Sequence, residues 1–174
     1  MNTKLLPTTL ALLLAVSAYP ALAQITPAAK RPAPDIDLKL SCNHSQGVEE
    51  SRIFLADGGE IRIKDGKLLS FRWESALHRR THGFDCSIDL QDQLELQPLK
   101  NGWRVATKDA GAARLARGYD TDHGTVCLIN LTLEAGDILH IEPSCSPLCG
   151  SRPEFSELKV HLPTGQCEYV SKVD

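Results

Sequence analysis

The chain has 174 residues, 42% of them apolar, 24% charged and only 5% aromatic, with six cysteines, twelve glycines and ten prolines. That length makes one ordinary domain or two very small ones, and the apolar content with a formal charge of −3 excludes global disorder. A pI near 6.1 argues against a dedicated nucleic-acid binder, which carries a basic excess.

Residues 1–23 read as a secretory signal peptide. Lys4 gives the positive start, residues 5–16 the apolar run, and Ala21-Leu22-Ala23 the small residues of a cleavage site before Gln24. The run is too short for a stable membrane span, and Gln24 stands where a lipid-anchored protein needs cysteine. The expectation is a soluble periplasmic or secreted protein without a transmembrane segment. Cleavage leaves 151 residues with 18 basic and 22 acidic side chains, a charge of −4. All six cysteines remain: Cys42, Cys86, Cys127, Cys145, Cys149 and Cys167. An even number in an exported chain reads as three disulfides, whose pairing the sequence leaves open. Zinc is the competing reading, and it lacks the C-x2-C pairs that such sites use. No cofactor is implied.

Residues 24–35 (QITPAAKRPAPD), with three prolines and three alanines, read as an extended tail. A single β domain is expected over residues 36–174. Its apolar period is two: Ile36, Leu38, Leu40 and Cys42 alternate with polar residues, the mark of a half-buried strand. Residues 52–56 and 60–64 read as a hairpin across Asp57-Gly58-Gly59. Asp65-Gly66 is a strong hairpin turn into residues 67–73. Phe84, Cys86, Ile88 and Leu90 alternate, and Leu94 and Leu96 continue after a break. Asn101-Gly102 turns into residues 103–107, and Lys108-Asp109-Ala110-Gly111 turns again towards a strand over residues 112–117. Residues 125–133 and 138–142 flank Ala135-Gly136-Asp137. A last hairpin joins residues 158–162 and 167–170 across Pro163-Thr164-Gly165-Gln166. About ten short strands with frequent turns predict an antiparallel sandwich or barrel, stapled by disulfides. Residues 75–80 and 151–158 are the only places left for a helical turn. The pattern C-x-I-[DN]-L recurs at Cys86 and Cys127, as a duplicated hairpin or as two strands drawing on the same few residue types.

Catalytic constellations are sparse. There is no G-x-S-x-G elbow, paired cysteines leave no thiolate, and no HExxH occurs. His78 and His82 share a face but flank Arg79 and Arg80, so a solvated basic loop is favoured over a cation site. The loop at residues 118–124 offers Asp120, Asp122 and His123, as metal ligands or as a turn capped by its own aspartates. Glu49-Glu50 reads as solvated rather than as a glycosidase pair. No catalytic or metal residue is assigned. Charge is uneven: residues 51–82 carry seven basic and four acidic side chains, residues 83–174 eight and fourteen. Such faces steer a protein partner or an anionic polymer, or simply meet water.

The segment Val126-Cys127-Leu128, Gly136-Asp137-Ile138-Leu139-His140-Ile141, Cys145-Ser146-Pro147-Leu148-Cys149-Gly150-Ser151-Arg152 and Phe155 resembles small exported bacterial proteins related to periplasmic lysozyme inhibitors. The Ser-Gly-x-x-Tyr loop of some of these inhibitors is absent; Thr164-Gly165-Gln166-Cys167-Glu168-Tyr169 approximates it only loosely, being one residue longer. The resemblance implies a non-catalytic protein that binds a peptidoglycan-cleaving enzyme of the muramidase type and places a rigid hydroxyl, cation or backbone donor between the two cleft carboxylates. Ser151 and Arg152, on the loop around Cys145 and Cys149, and Thr164 and Gly165, at the hairpin tip, are the candidate contacts. The alternatives are a structural or adaptor module of the envelope and, third, an envelope hydrolase.

Overall fold

The computed structural model describes residues 34–48, 51–120 and 123–170. The expected signal peptide and most of the expected tail, residues 1–33, lie outside the described residues, as do Glu49, Glu50, Thr121 and Asp122. Ten strands form two antiparallel sheets, each a meander in chain order. The first holds β1 (Ile36–Gln46), β2 (Ile53–Lys64), β3 (Lys67–His78) and β4 (Gly83–Asp89). The second holds β5 (Leu94–Leu99), β6 (Gly102–Thr107), β7 (Leu128–Glu134), β8 (Ile138–Ser144), β9 (Leu158–His161) and β10 (Gln166–Tyr169). The arrangement is sandwich-like; the barrel alternative does not close.

Period-two burial builds the core. Ile36, Leu38, Leu40 and Cys42 turn inward from β1 while Asp37, Lys39 and Ser41 face water. Ile61, Phe71, Trp73 and Ile88 from the first sheet pack with Val105, Ile129, Leu131, Leu139, Ile141 and Val160 from the second. The Asp65-Gly66 turn forms as expected, both residues having positive φ (49° and 72°). The tail is tied down at its last residues: Trp103 Nε1 donates to the Pro34 carbonyl (2.7 Å), and Asp35 accepts from the Asp65 amide (3.0 Å).

Two expectations are corrected. The hairpin at Asp57-Gly58-Gly59 does not exist, because β2 runs unbroken through it. Asp57 is buried and accepts a hydrogen bond from Trp73 Nε1 (3.0 Å), and Gly59 lies so close to β3 that a Cβ would run into the Arg72 carbonyl. The strand expected at residues 112–117 is helix α1 (Ala110–Ala116), whose seven residues include four alanines and whose N-cap Asp109 accepts from the Ala112 amide (2.8 Å). Neither place left for a helical turn forms one: residues 75–78 belong to β3, residues 151–154 make bends and residues 155–157 have no regular structure.

All six cysteines are paired: Cys42–Cys167, Cys86–Cys149 and Cys127–Cys145. The first joins the first strand to the last. The other two fasten a single segment, Cys145 to Cys149, to β4 of one sheet and to the residue before β7 of the other.

Candidate functional site

Beyond that segment the chain turns back over the end of the first sheet and encloses a cavity of about 560 Å³. Its walls are Leu55 of β2, Leu77 of β3, Phe84 of β4, Pro143 of β8 and Phe155. Phe155 packs on Trp73 with ring centroids 4.8 Å apart. Arg79 and His82 of the β3–β4 loop and Ser151 stand exposed at the rim.

The floor is ionic and buried. Arg152, 5% exposed, donates from Nη1 to Ser75 Oγ (2.7 Å) and from Nη2 to Ser156 Oγ (2.9 Å). Ser156 Oγ in turn donates to Asp57 Oδ2 (2.8 Å), and its amide donates to Ser75 Oγ (3.1 Å). Arg152 and Asp57 therefore neutralise one another through a serine, without direct contact. Burial holds the Arg152 guanidinium below its ordinary pKa, against the opposing pull of Asp57, Tyr169 and Glu154. Burial likewise raises the Glu154 carboxyl, although its oxygens accept from the Cys145 amide (2.9 and 2.8 Å) and the Phe155 amide (3.0 Å). The phenol of Tyr169, on β10, is pushed well above its usual value, first by burial and then by the Asp57 charge. Its hydroxyl is near Asp57 but not in hydrogen-bonding geometry. Among the described residues it is one of three buried side-chain polar atoms without a partner, with Thr107 Oγ1 and His123 Nδ1.

The four candidate contacts divide into two places. Ser151 and Arg152 line the cavity, while Thr164 and Gly165 form the β9–β10 turn. The four residues of β10, about 13 Å of strand, separate the turn from Tyr169 in the cavity. Arg152 points into the protein, which corrects the expectation of an outward cation. Thr164 Oγ1 pairs with His161 Nδ1 (2.8 Å) and accepts from the Gln166 amide (3.3 Å), so the tip is held by its own bonds.

The other candidate residues are engaged locally. Asp120 accepts from buried Arg114 Nη2 (2.7 Å), and the same guanidinium donates to the carbonyls of Pro147 (3.1 Å) and Cys149 (2.6 Å), fastening α1 to the disulfide segment. His78 stacks on Phe54, and His82 pairs through Nδ1 with Thr81 Oγ1 (2.7 Å).

Sequence reasoning missed Asp57, Ser75, Ser156 and Tyr169. A signal was present for the first two. Asp57 occupies the buried phase of Ile53, Leu55, Ile61 and Ile63, and Ser75 that of Phe71, Trp73 and Leu77. A polar residue on the apolar phase of a strand needs a buried partner. No protein-family model, curated protein or solved structure matches the chain.

Proposed function

We propose that the protein is an exported, non-catalytic binding protein that takes a small, largely apolar ligand into this cavity, in the periplasm or outside the cell. The cavity itself carries the reading. Its volume falls within the roughly 300–1,000 Å³ of small-molecule sites, and its apolar walls converge on a few fixed polar groups. The carboxylates of the floor are committed to protein partners, Asp57 to Trp73 and Ser156 and Glu154 to two backbone amides, whereas a general acid or base must reach its substrate's proton. Three disulfides suit an oxidising compartment, and no described helix is long and apolar enough to cross a membrane. The test is a fluorescence titration with N-phenyl-1-naphthylamine. Saturable binding to the native protein, weakened by Ser151→Trp at the exposed rim, supports the reading. Absence of saturable binding sinks it.

Inhibition of a peptidoglycan-cleaving enzyme is the second reading, favoured by the exposed Thr164–Gly165 tip. This tip is braced by His161 and by the neighbouring Cys42–Cys167 bridge. Equimolar protein should then suppress a muramidase, and Thr164→Trp should abolish the suppression; full enzyme activity at equimolar protein rejects this reading.

A further inference from the structure

Two groups at the floor of the cavity keep donors to spare after the protein's own hydrogen bonds are made. A guanidinium has five N–H donors, and Arg152 spends two, on Ser75 and Ser156; no other hydrogen bond is made by this side chain among the described residues. The Tyr169 hydroxyl lies buried beside Asp57 without a well-formed hydrogen bond. Both belong to the lining of the same cavity, and both are grouped around Asp57. Unpaired donors buried against an open volume are costly unless something in that volume accepts from them.

The charge balance selects the acceptor. Arg152 is already matched by Asp57 through Ser156, and Glu154 adds a further carboxylate beside it. An anionic head group would therefore bring another negative charge to a floor with one guanidinium, and an ion buried without its own counter-charge loses more in desolvation than it regains. Arg79 does not alter this balance, since it stands in water at the rim, where screening makes it weak. An alcohol head has a proton of its own to place, whereas the unspent N–H groups of Arg152 can only donate. A carbonyl oxygen accepts twice and donates nothing.

We propose that the ligand is an uncharged amphipathic carbonyl compound, such as an aliphatic ketone or ester. Its oxygen accepts from the Tyr169 hydroxyl and the Arg152 guanidinium, and its hydrocarbon lies along Leu55, Leu77, Phe84 and Phe155. This assignment rests on the cavity being the binding site, and the experiment separates the two claims. N-phenyl-1-naphthylamine, which has no carbonyl, reports occupancy of the cavity, and 2-decanone, methyl decanoate and decanoate compete for it. The expected order is displacement by the ketone and ester at lower concentration than by decanoate. Tyr169→Phe should raise the dissociation constant of the ketone about twofold to tenfold, the worth of one neutral hydrogen bond, while leaving the dye's unchanged. If the dye binds but decanoate competes better than the ketone, or if Tyr169→Phe leaves ketone affinity unchanged, the carbonyl assignment falls and the cavity reading stands. Failure of the dye to bind overturns both. Selectivity among the competitors needs no variant, so the result does not depend on how well Tyr169→Phe folds.

Discussion

Removing the Arg152 guanidinium tests whether the floor of the cavity is one electrostatic unit. In Arg152→Met the new side chain replaces the aliphatic stem but not the charge. Asp57, 3% exposed, is left with Trp73 Nε1 and the Ser156 hydroxyl as neutral donors and no cation. Ser75 and Ser156 each lose a charged donor at 2.7 and 2.9 Å. Leaving one partner of a buried ion pair uncompensated costs about 3–5 kcal/mol. That is about a fifth or more of the stability of an ordinary domain. In Asp57→Asn/Arg152→Met both charges are gone, and the amide oxygen still accepts from Trp73. The double variant should therefore be more stable than the sum of the two single losses predicts, by about 1–3 kcal/mol. Urea unfolding followed by the fluorescence of the two tryptophans, Trp73 and Trp103, gives all four corners of the cycle. Additivity to within about 0.5 kcal/mol would refute the coupling. Asp57 and Arg152 would then be separately solvated or separately satisfied, and the serine bridge would carry no charge compensation.

Other perturbations reach different parts of the molecule. Burial raises the native Glu154 pKa above its ordinary 4.5, so the folded state keeps this proton to higher pH than the unfolded chain. Its contribution to stability is complete below about pH 4.5 and is lost as pH rises through the native value. Glu154→Gln removes that loss while its remaining oxygen still accepts from the Cys145 and Phe155 amides; the variant's stability relative to the native protein should rise between pH 4 and 7 in parallel urea titrations, and a flat difference contradicts the burial argument. Replacing Cys42 and Cys167 by alanine, with Cys86–Cys149 intact, opens a loop of about 62 residues and should cost about 4 kcal/mol in the chain-entropy account, against about 3 for Cys127 and Cys145, separated by 18 residues. The reverse order in guanidinium unfolding refutes that account. Gly59→Ala should cost about 1–3 kcal/mol, because the methyl meets the Arg72 backbone carbonyl rather than a movable side chain; a loss below about 0.5 kcal/mol would mean that β2 and β3 are not so closely apposed.

What the sequence disclosed follows from the range of the forces involved. Alternation is local, so β1 is legible from Ile36 to Cys42 and the Asp65-Gly66 turn from two adjacent residues. Asp57-Gly58-Gly59 misled because the composition of a turn is also that of a strand where a buried acceptor sits beside a close crossing, and only the partners Trp73 and Arg72 distinguish the two. The segment Ala110–Ala116 misled for a different reason: seven residues are too few to show a helical period, and the decisive marks were the alanines and the Asp109 cap. Arg152 drew attention as an outward contact to an enzyme cleft, and its inward direction was not readable. Its acceptors Ser75 and Ser156 stand 77 and 4 residues away, and one of these distances lies beyond any local pattern.

The cysteines link these scales. From the sequence they read as protection for an exported fold, and Cys42–Cys167, which joins the two ends of the domain, fits that role. Cys86–Cys149 and Cys127–Cys145 do something more specific. They anchor one short segment to both sheets, and Arg114 of α1 holds the carbonyls of Pro147 and Cys149 from a third side. Glu154 then bonds back to the Cys145 amide, so residues 145–156 form a closed, cross-braced turn. Arg152 and Ser156 are carried on that turn and delivered to Asp57 and Ser75 across the core. A buried guanidinium with spare donors is tolerable only where its surroundings cannot relax to satisfy it, and two covalent anchors supply that rigidity. On the proposed binding function, the same rigidity would lower the entropic cost of ordering the site. Two of the three bridges thus set the floor of the cavity as well as cross-linking the fold.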